Sequence, residues 1–124
     1  MSQSRTVTVT LLKGYFEVDF DNGEEIFPFF TLKVGETEYK STVKAGEIRN
    51  FKFNEKFVFK VKETDVLEVT AYDRFSSKED DYFGKAEFYI GDMVAKNELE
   101  TNEILSKQYM DVGKVYLKFE SHDN

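Results

Sequence analysis

Four carboxylates fall within nine positions at the start of "DRFSSKEDDYFG" (73–84): Asp73, Glu79, Asp80 and Asp81. A second acidic run, "DFDNGEE" at 19–25, supplies Asp19, Asp21, Glu24 and Glu25. Crowded carboxylates repel one another and resist ionisation unless a cation neutralises them. Calcium, a hard cation, takes about six to eight oxygens, so a site shared between two such runs is the chemistry they could perform. The bland alternative is a pair of solvated acidic loops. An EF-hand does not fit, because in "DFDNGE" Gly23 stands fifth rather than sixth and Phe30 occupies the place of the closing glutamate.

The cations are segregated too. Residues 40–62 carry Lys40, Lys44, Arg49, Lys52, Lys56, Lys60 and Lys62 against Glu47 and Glu55, a local +5 that leaves −12 for the rest of a chain whose net charge is −7. Such a concentration suits phosphate groups or an acidic partner, with each ammonium acting as a mobile point charge. Equally, lysines can simply solubilise the outer face of a sheet and discourage edge pairing. The overall negative charge argues against nucleic acid, whose binding depends on neutralising phosphates. It also argues against unassisted adsorption to an acidic bilayer.

Enzymatic chemistry finds little support. The chain has no cysteine, so thiolate nucleophiles, thiolate metal sites and disulfides are excluded. The lone histidine, His122, stands in "SHDN", read as a polar, unstructured tail. There is no glycine-rich phosphate loop and no nucleophile elbow, and a small tryptophan-free domain offers no visible cleft for acid–base work by paired carboxylates. The chain is read as non-catalytic.

The elements that must position these groups are strands. In "TVTVTLL", Val7, Val9 and Leu11 alternate with threonines. In "FKFNEKFVFKVK", Phe51, Phe53, Phe57, Phe59 and Val61 share one parity while Lys52, Lys56, Lys60 and Lys62 share the other. Alternation marks strands with one buried face. Eight strands are predicted, at about 5–13, 28–34, 37–44, 51–61, 65–72, 82–90, 107–111 and 114–120. Turn signals separate them, among them "VGK" at 112–114, and only 91–106 could hold a helical turn. The fold class is an all-β, eight-stranded antiparallel sandwich. A length of 124 residues suits one domain with a core over about 5–120. No apolar signal core or membrane-spanning run is present, so a soluble, cytoplasmic protein without a transmembrane segment is expected.

Three stretches resemble the C2 domain, the β-sandwich that often binds calcium and phospholipid. "NFKFNEKFVFKV" at 50–61 resembles the family's Asn-Pro-x-Trp-Asn-Glu-x-Phe-x-Phe strand, keeping Asn50, Asn54, Glu55, Phe57 and Phe59 but carrying Phe51 for proline and Phe53 for tryptophan. "LEVTAYDRFSSKEDDYFG" at 67–84 is similar to the strand, acidic loop and Asp-x-x-Gly close. "DNGEEIFPFFTLKV" at 21–34 is similar to the first loop and its Asp-Pro-Tyr-Val continuation. The strand order corresponds to the family's type II topology, with loops at about 14–27, 45–50 and 73–82 gathered at one end.

The resemblance implies two acidic ligands in the first loop and three in the third. Asp73 and Asp81 match the ends of the third-loop set, but Phe75 stands where aspartate is asked for. In the first loop Phe27 replaces the aspartate before Pro28; the other acid maps to Asp21, or to Asp19 if the loop carries an insertion. Tight, multi-ion calcium binding is therefore not expected. Weak single-ion binding is left to Asp21, Asp73 and Asp81, with Glu24, Glu25, Ser77, Glu79 or Asp80 filling in. Phe27 and Phe75 would pack together to close the vacated space, or protrude with Phe29 or Tyr82 as bilayer anchors. The family's concave strands often carry a basic patch for phosphoinositides or acidic peptides. That patch would here be Lys52, Lys56, Lys60 and Lys62, with Lys40 and Lys44 on the preceding strand beside them. The resulting expectation is a stand-alone, peripheral-membrane adaptor for phospholipid with weakened or lost calcium dependence. The alternative is a calcium-independent protein-interaction module that binds no lipid.

Overall fold

The structure is a computed structural model that describes residues 5–17, 26–45, 49–74, 81–95 and 98–122; of Asp81 it describes the backbone only. Eight strands follow in order: β1 (Arg5–Phe16), β2 (Pro28–Val34), β3 (Thr37–Lys40), β4 (Asn50–Val61), β5 (Val66–Asp73), β6 (Asp81–Tyr89), β7 (Glu98–Lys107) and β8 (Met110–His122). A single helical turn, α1 (Ile90–Met93), lies between β6 and β7.

All pairings are antiparallel, in the order β3-β2-β5-β6-β7-β8-β1-β4. One residue pair, Lys85 with Ser106, joins β6 to β7. The strands on either side of that joint fold face to face, giving layers β3-β2-β5-β6 and β7-β8-β1-β4. Rings cross the interface: Phe30 of β2 meets Phe53 of β4 edge-on at 5.4 Å between centroids, and Phe88 of β6 meets Phe119 of β8 at 5.7 Å. Burying an aromatic or branched aliphatic side chain contributes about 1.5–3 kcal/mol, which is why alternation selects these faces.

Alternation dictates β1 as far as Leu11. There a register shift at Leu12 moves the inward parity from Val7, Val9 and Leu11 to Gly14 and Phe16. The facing strand bulges at Asn54, whose φ of 53° lies in the left-handed region that asparagine tolerates better than most residues. Next to it, the Glu55 carboxylate accepts hydrogen bonds from the Thr42 amide (3.0 Å) and the Thr42 hydroxyl (2.7 Å). The Asn54–Glu55 pair thus turns the strand and clamps the segment after β3 onto it.

The C-terminal half departs from expectation. "VGK" is not a turn: Gly113 lies inside β8, where an added Cβ would stand 2.0 Å from the Tyr15 carbonyl oxygen. It is a glycine of close backbone approach rather than of chain reversal. The reversal falls at Gln108 and Tyr109, with φ of 51° and 66°. Residues 98–106, expected to offer at most a helical turn, form most of β7; the helical turn is confined to α1. His122 is not in an unstructured tail but closes β8 opposite Thr6. β3 ends at Lys40, four residues earlier than expected.

Candidate functional site

Several chain segments converge where β1 ends. The Phe16 amide donates to the Arg49 carbonyl (3.0 Å) and the Glu17 amide to the Val112 carbonyl (2.8 Å), tying the end of β1 to the start of β4 and to β8. Pro28 pairs with Asp73, and Asp73 pairs with Asp81. The described ends of the three expected loops therefore meet at one end of the sandwich. The β7–β8 hairpin reaches the same end, because Gly113 pairs with Phe16 and the turn lies only a few residues away.

Asp73 is the described member of the expected carboxylate set, and it is 7% exposed. Its Oδ1 accepts the Phe27 amide at 2.9 Å, and the Arg74 amide donates to the Phe27 carbonyl at 2.9 Å. The first and third loops are thus cross-linked by hydrogen bonds that require no ion. Phe27 itself is partly buried and brings no oxygen from its side chain. Asp73 also lines a hollow of about 430 Å³ together with Tyr82, Phe83 and Lys107, whose ammonium opposes a divalent cation. Among the described residues no group of three or more histidines or carboxylates could hold a metal. Asp19, Asp21, Glu24, Glu25, Phe75, Ser77, Glu79 and Asp80 lie outside the described residues, as do the Asp81 side chain and the pairing of Phe27 with Phe75.

Phe29, expected as an alternative anchor, does not protrude. It is 2% exposed, stacks on Tyr72 at 5.2 Å, and is covered by Lys40 Nζ at 4.4 Å and by the Arg74 guanidinium at 5.6 Å. Tyr82, by contrast, is exposed.

The lysines divide between the layers. Lys52, Lys56 and Lys60 are exposed on the outward face of β4, with Val58 among them. Lys62 lies just past the strand, its amide donating to Asp65 Oδ2 at 2.8 Å. Lys40 is not beside them, because β3 and β4 occupy opposite ends of the strand order and do not pair. The two edges instead meet through Tyr39, which donates to the Val58 carbonyl at 2.9 Å and packs on Phe57 and Phe59. Lys44 follows β3 and lies over the Phe53 ring at 5.6 Å.

One basic residue escaped the sequence reading. Lys13 pairs directly across the β1–β4 ladder with Lys52. With Lys44, Asn50 and Phe51 these two line a hollow of about 600 Å³. The Lys13 ammonium lies over the Tyr116 ring of β8 at 4.6 Å, so the hollow gathers three lysines whose charge an anion could offset. The signal was the Leu11–Leu12 doublet, which interrupts the alternation one residue before Lys13.

An antiparallel sandwich with three loop ends gathered at one pole, and with β8 returning beside β1, defines a loop-presenting β-sandwich module of type II strand order. A family model described as the C2 domain matches residues 5–106, and the chain belongs to that family. Among solved structures, a C2 domain of plant Extended Synaptotagmin 1 superposes with a TM-score of 0.84 at 23% identity, over 97% of this chain and 95% of that one. A C2 domain-containing protein from a putative elicitor-responsive gene gives 0.83 at 22% identity, over 100% and 93%. Human GIVD cytosolic phospholipase A2 gives 0.83 at 22% identity; the match covers 99% of this chain but 17% of that one. A comparison with curated proteins found no match. Among the described residues no helix is long and apolar enough to cross a membrane.

Proposed function

We propose that this C2 domain is a non-catalytic, peripheral-membrane adaptor that binds phospholipid through a lysine face, with calcium dependence weak or lost. The observation that carries this reading is the juxtaposition of Lys13 and Lys52 across one strand pair, with Lys44 on the same hollow, in a chain whose net charge is −7. A phosphorylated headgroup is the ligand class that offsets clustered ammonium groups and leaves its glycerol backbone toward a bilayer. Lys56 and Lys60 extend the same face along β4. Reduced calcium dependence is supported by Asp73, whose Oδ1 accepts the Phe27 amide, and by the phenylalanine at position 27 itself.

The test is co-sedimentation with vesicles of defined composition, with and without phosphoinositide and with and without calcium. Pelleting that needs phosphoinositide and persists in chelator is expected. Lys52→Glu with Lys56→Glu should abolish it, and unchanged binding would remove this face from the account. If no lipid composition carries the protein down, the membrane reading fails and a lipid-independent protein-interaction module takes its place.

A further inference from the structure

The turn between β7 and β8 is built from residues that suit neither its backbone nor water. It is a two-residue reversal, Lys107 pairing with Met110 across Gln108 and Tyr109. Both central residues have positive φ, 51° and 66°. Turns of this form favour Asn-Gly, because asparagine and glycine enter the left-handed region with the least steric conflict. The chain instead places a glutamine and a tyrosine there. Tyr109 is fully exposed and Met110 is 69% exposed, so neither side chain recovers the strain by packing. A non-glycine residue held in this region without local return points to a role outside the fold.

Exposed apolar side chains concentrate around this tip. Of the seven large ones among the described residues, four are Tyr82, Ile104, Tyr109 and Met110. Tyr82, Ile104 and Tyr109 line one groove of about 580 Å³ between β6 and β7, where only a single residue pair joins the strands. Lys107 ties the tip to the third loop: its ammonium donates to the Tyr82 carbonyl at 3.1 Å and stands 5.8 Å from the Tyr82 ring centroid. The tip therefore faces the same way as the loop end of the sandwich and holds a defined position relative to it.

We infer that the β7–β8 tip, Tyr109 with Met110, is a bilayer anchor that enters the headgroup–acyl boundary. A convex knob on a narrow hairpin is shaped to enter a soft medium. Tyrosine, with an apolar ring and a polar hydroxyl, is suited to that boundary. Lys107 and Lys114 stand on either side of the tip in the chain with charge suited to anionic headgroups, Asp111 lies beside it, and Lys85 and Glu87 offset one another on the groove that Tyr109 lines. The inference rests on the membrane reading above, but it concerns a different part of the surface from the lysine face.

The chain contains no tryptophan, so Tyr109→Trp places a single fluorescent reporter at the tip. With vesicles of phosphatidylcholine, phosphatidylserine and a phosphoinositide, its emission should shift to the blue and be quenched by brominated acyl chains. A variant that pellets with vesicles yet keeps water-like, unquenched emission overturns the anchor and leaves the membrane reading intact. If the unaltered chain pellets with no composition, both fall. A second variant separates binding from folding. Gln108→Asn with Tyr109→Gly should raise the thermal midpoint by a few degrees, since the turn then matches its backbone, while weakening vesicle binding about tenfold. Undiminished binding in that variant would also overturn the anchor.

Discussion

Phe27 is hydrogen-bonded to Asp73 across the gap between the first and third loops, and to Arg74 beside it. The carboxylate of Asp73 accepts the Phe27 amide, and the residue after Asp73 returns its own amide to the Phe27 carbonyl, both at 2.9 Å. A carboxylate and a phenylalanine, at positions that resemble those of paired metal ligands in the family, here make a hydrogen-bonded latch between loops.

Removing the latch should destabilise the fold in the absence of any metal. A buried donor left without its partner costs about 1–3 kcal/mol, so Asp73→Ala should lower unfolding stability by that amount in urea denaturation. Asp73→Asn keeps an acceptor oxygen and should lose less than half as much. A neutral Asp73→Ala would show that the bond contributes nothing.

Calcium should leave the stability of the chain almost unchanged. A ligand at a thousand times its dissociation constant stabilises by about 4.1 kcal/mol, which is what micromolar affinity would give at millimolar calcium. The expected shift in thermal midpoint at that concentration is under about 2 °C. Submicromolar affinity by calorimetric titration would show that Phe27 and Phe75 do not disable the site.

Vesicle binding should depend on salt through the lysines around the β1–β4 hollow. A lysine near an anionic membrane surface contributes about 1 kcal/mol, so Lys13→Gln with Lys52→Gln should weaken binding by about 30-fold and flatten its dependence on ionic strength. Equal affinity in the double variant would exclude Lys13 from the site.

On the β7–β8 ladder, Lys118 lies 2.8 Å from Glu98, and its hydrogen bond holds the Glu98 carboxyl below the usual glutamate range. Because the folded value is depressed, the pair's contribution is complete above the ordinary glutamate pKa and is lost as pH falls through the folded one. Both groups face solvent, so the effect on stability is small and screened by salt. Carboxyl NMR titration should find Glu98 protonating at lower pH than an ordinary glutamate, and Lys118→Met should return it to the ordinary range.

Gly113 should tolerate no side chain. A Cβ there would stand 2.0 Å from the Tyr15 carbonyl oxygen, which belongs to the backbone of a paired strand and cannot swing aside. Gly113→Ala should cost about 3 kcal/mol or more, measured by denaturant unfolding, and soluble expression should fall with it. An alanine variant of native stability would mean that the two strands stand further apart.

Period-two alternation announced β1, β4, β5 and most of β8, because burying one face of a strand writes itself into every second residue. The Asn54–Glu55 pair was legible only as part of the family resemblance; that Asn54 bulges the strand and Glu55 holds Thr42 depends on the paired strand and the segment after β3. β7 was not legible: of its ten residues only Leu105 is buried, so it is held by its ladder to β8, and backbone bonds leave no trace in side-chain pattern. Gly113 was misread because glycine serves chain reversal and close approach alike, and only the neighbouring strand distinguishes them. Alternation likewise tells which lysines share a face of one strand but not which layer that strand joins. The sequence by itself determined the sandwich, its type II order and the acid-rich loops. Tertiary structure alone separated Lys40 from the β4 lysines, brought Lys13 opposite Lys52, and bound Asp73 to the Phe27 amide. Each of those relations joins strands far apart in the chain, and it depends on how the two layers close over a common core.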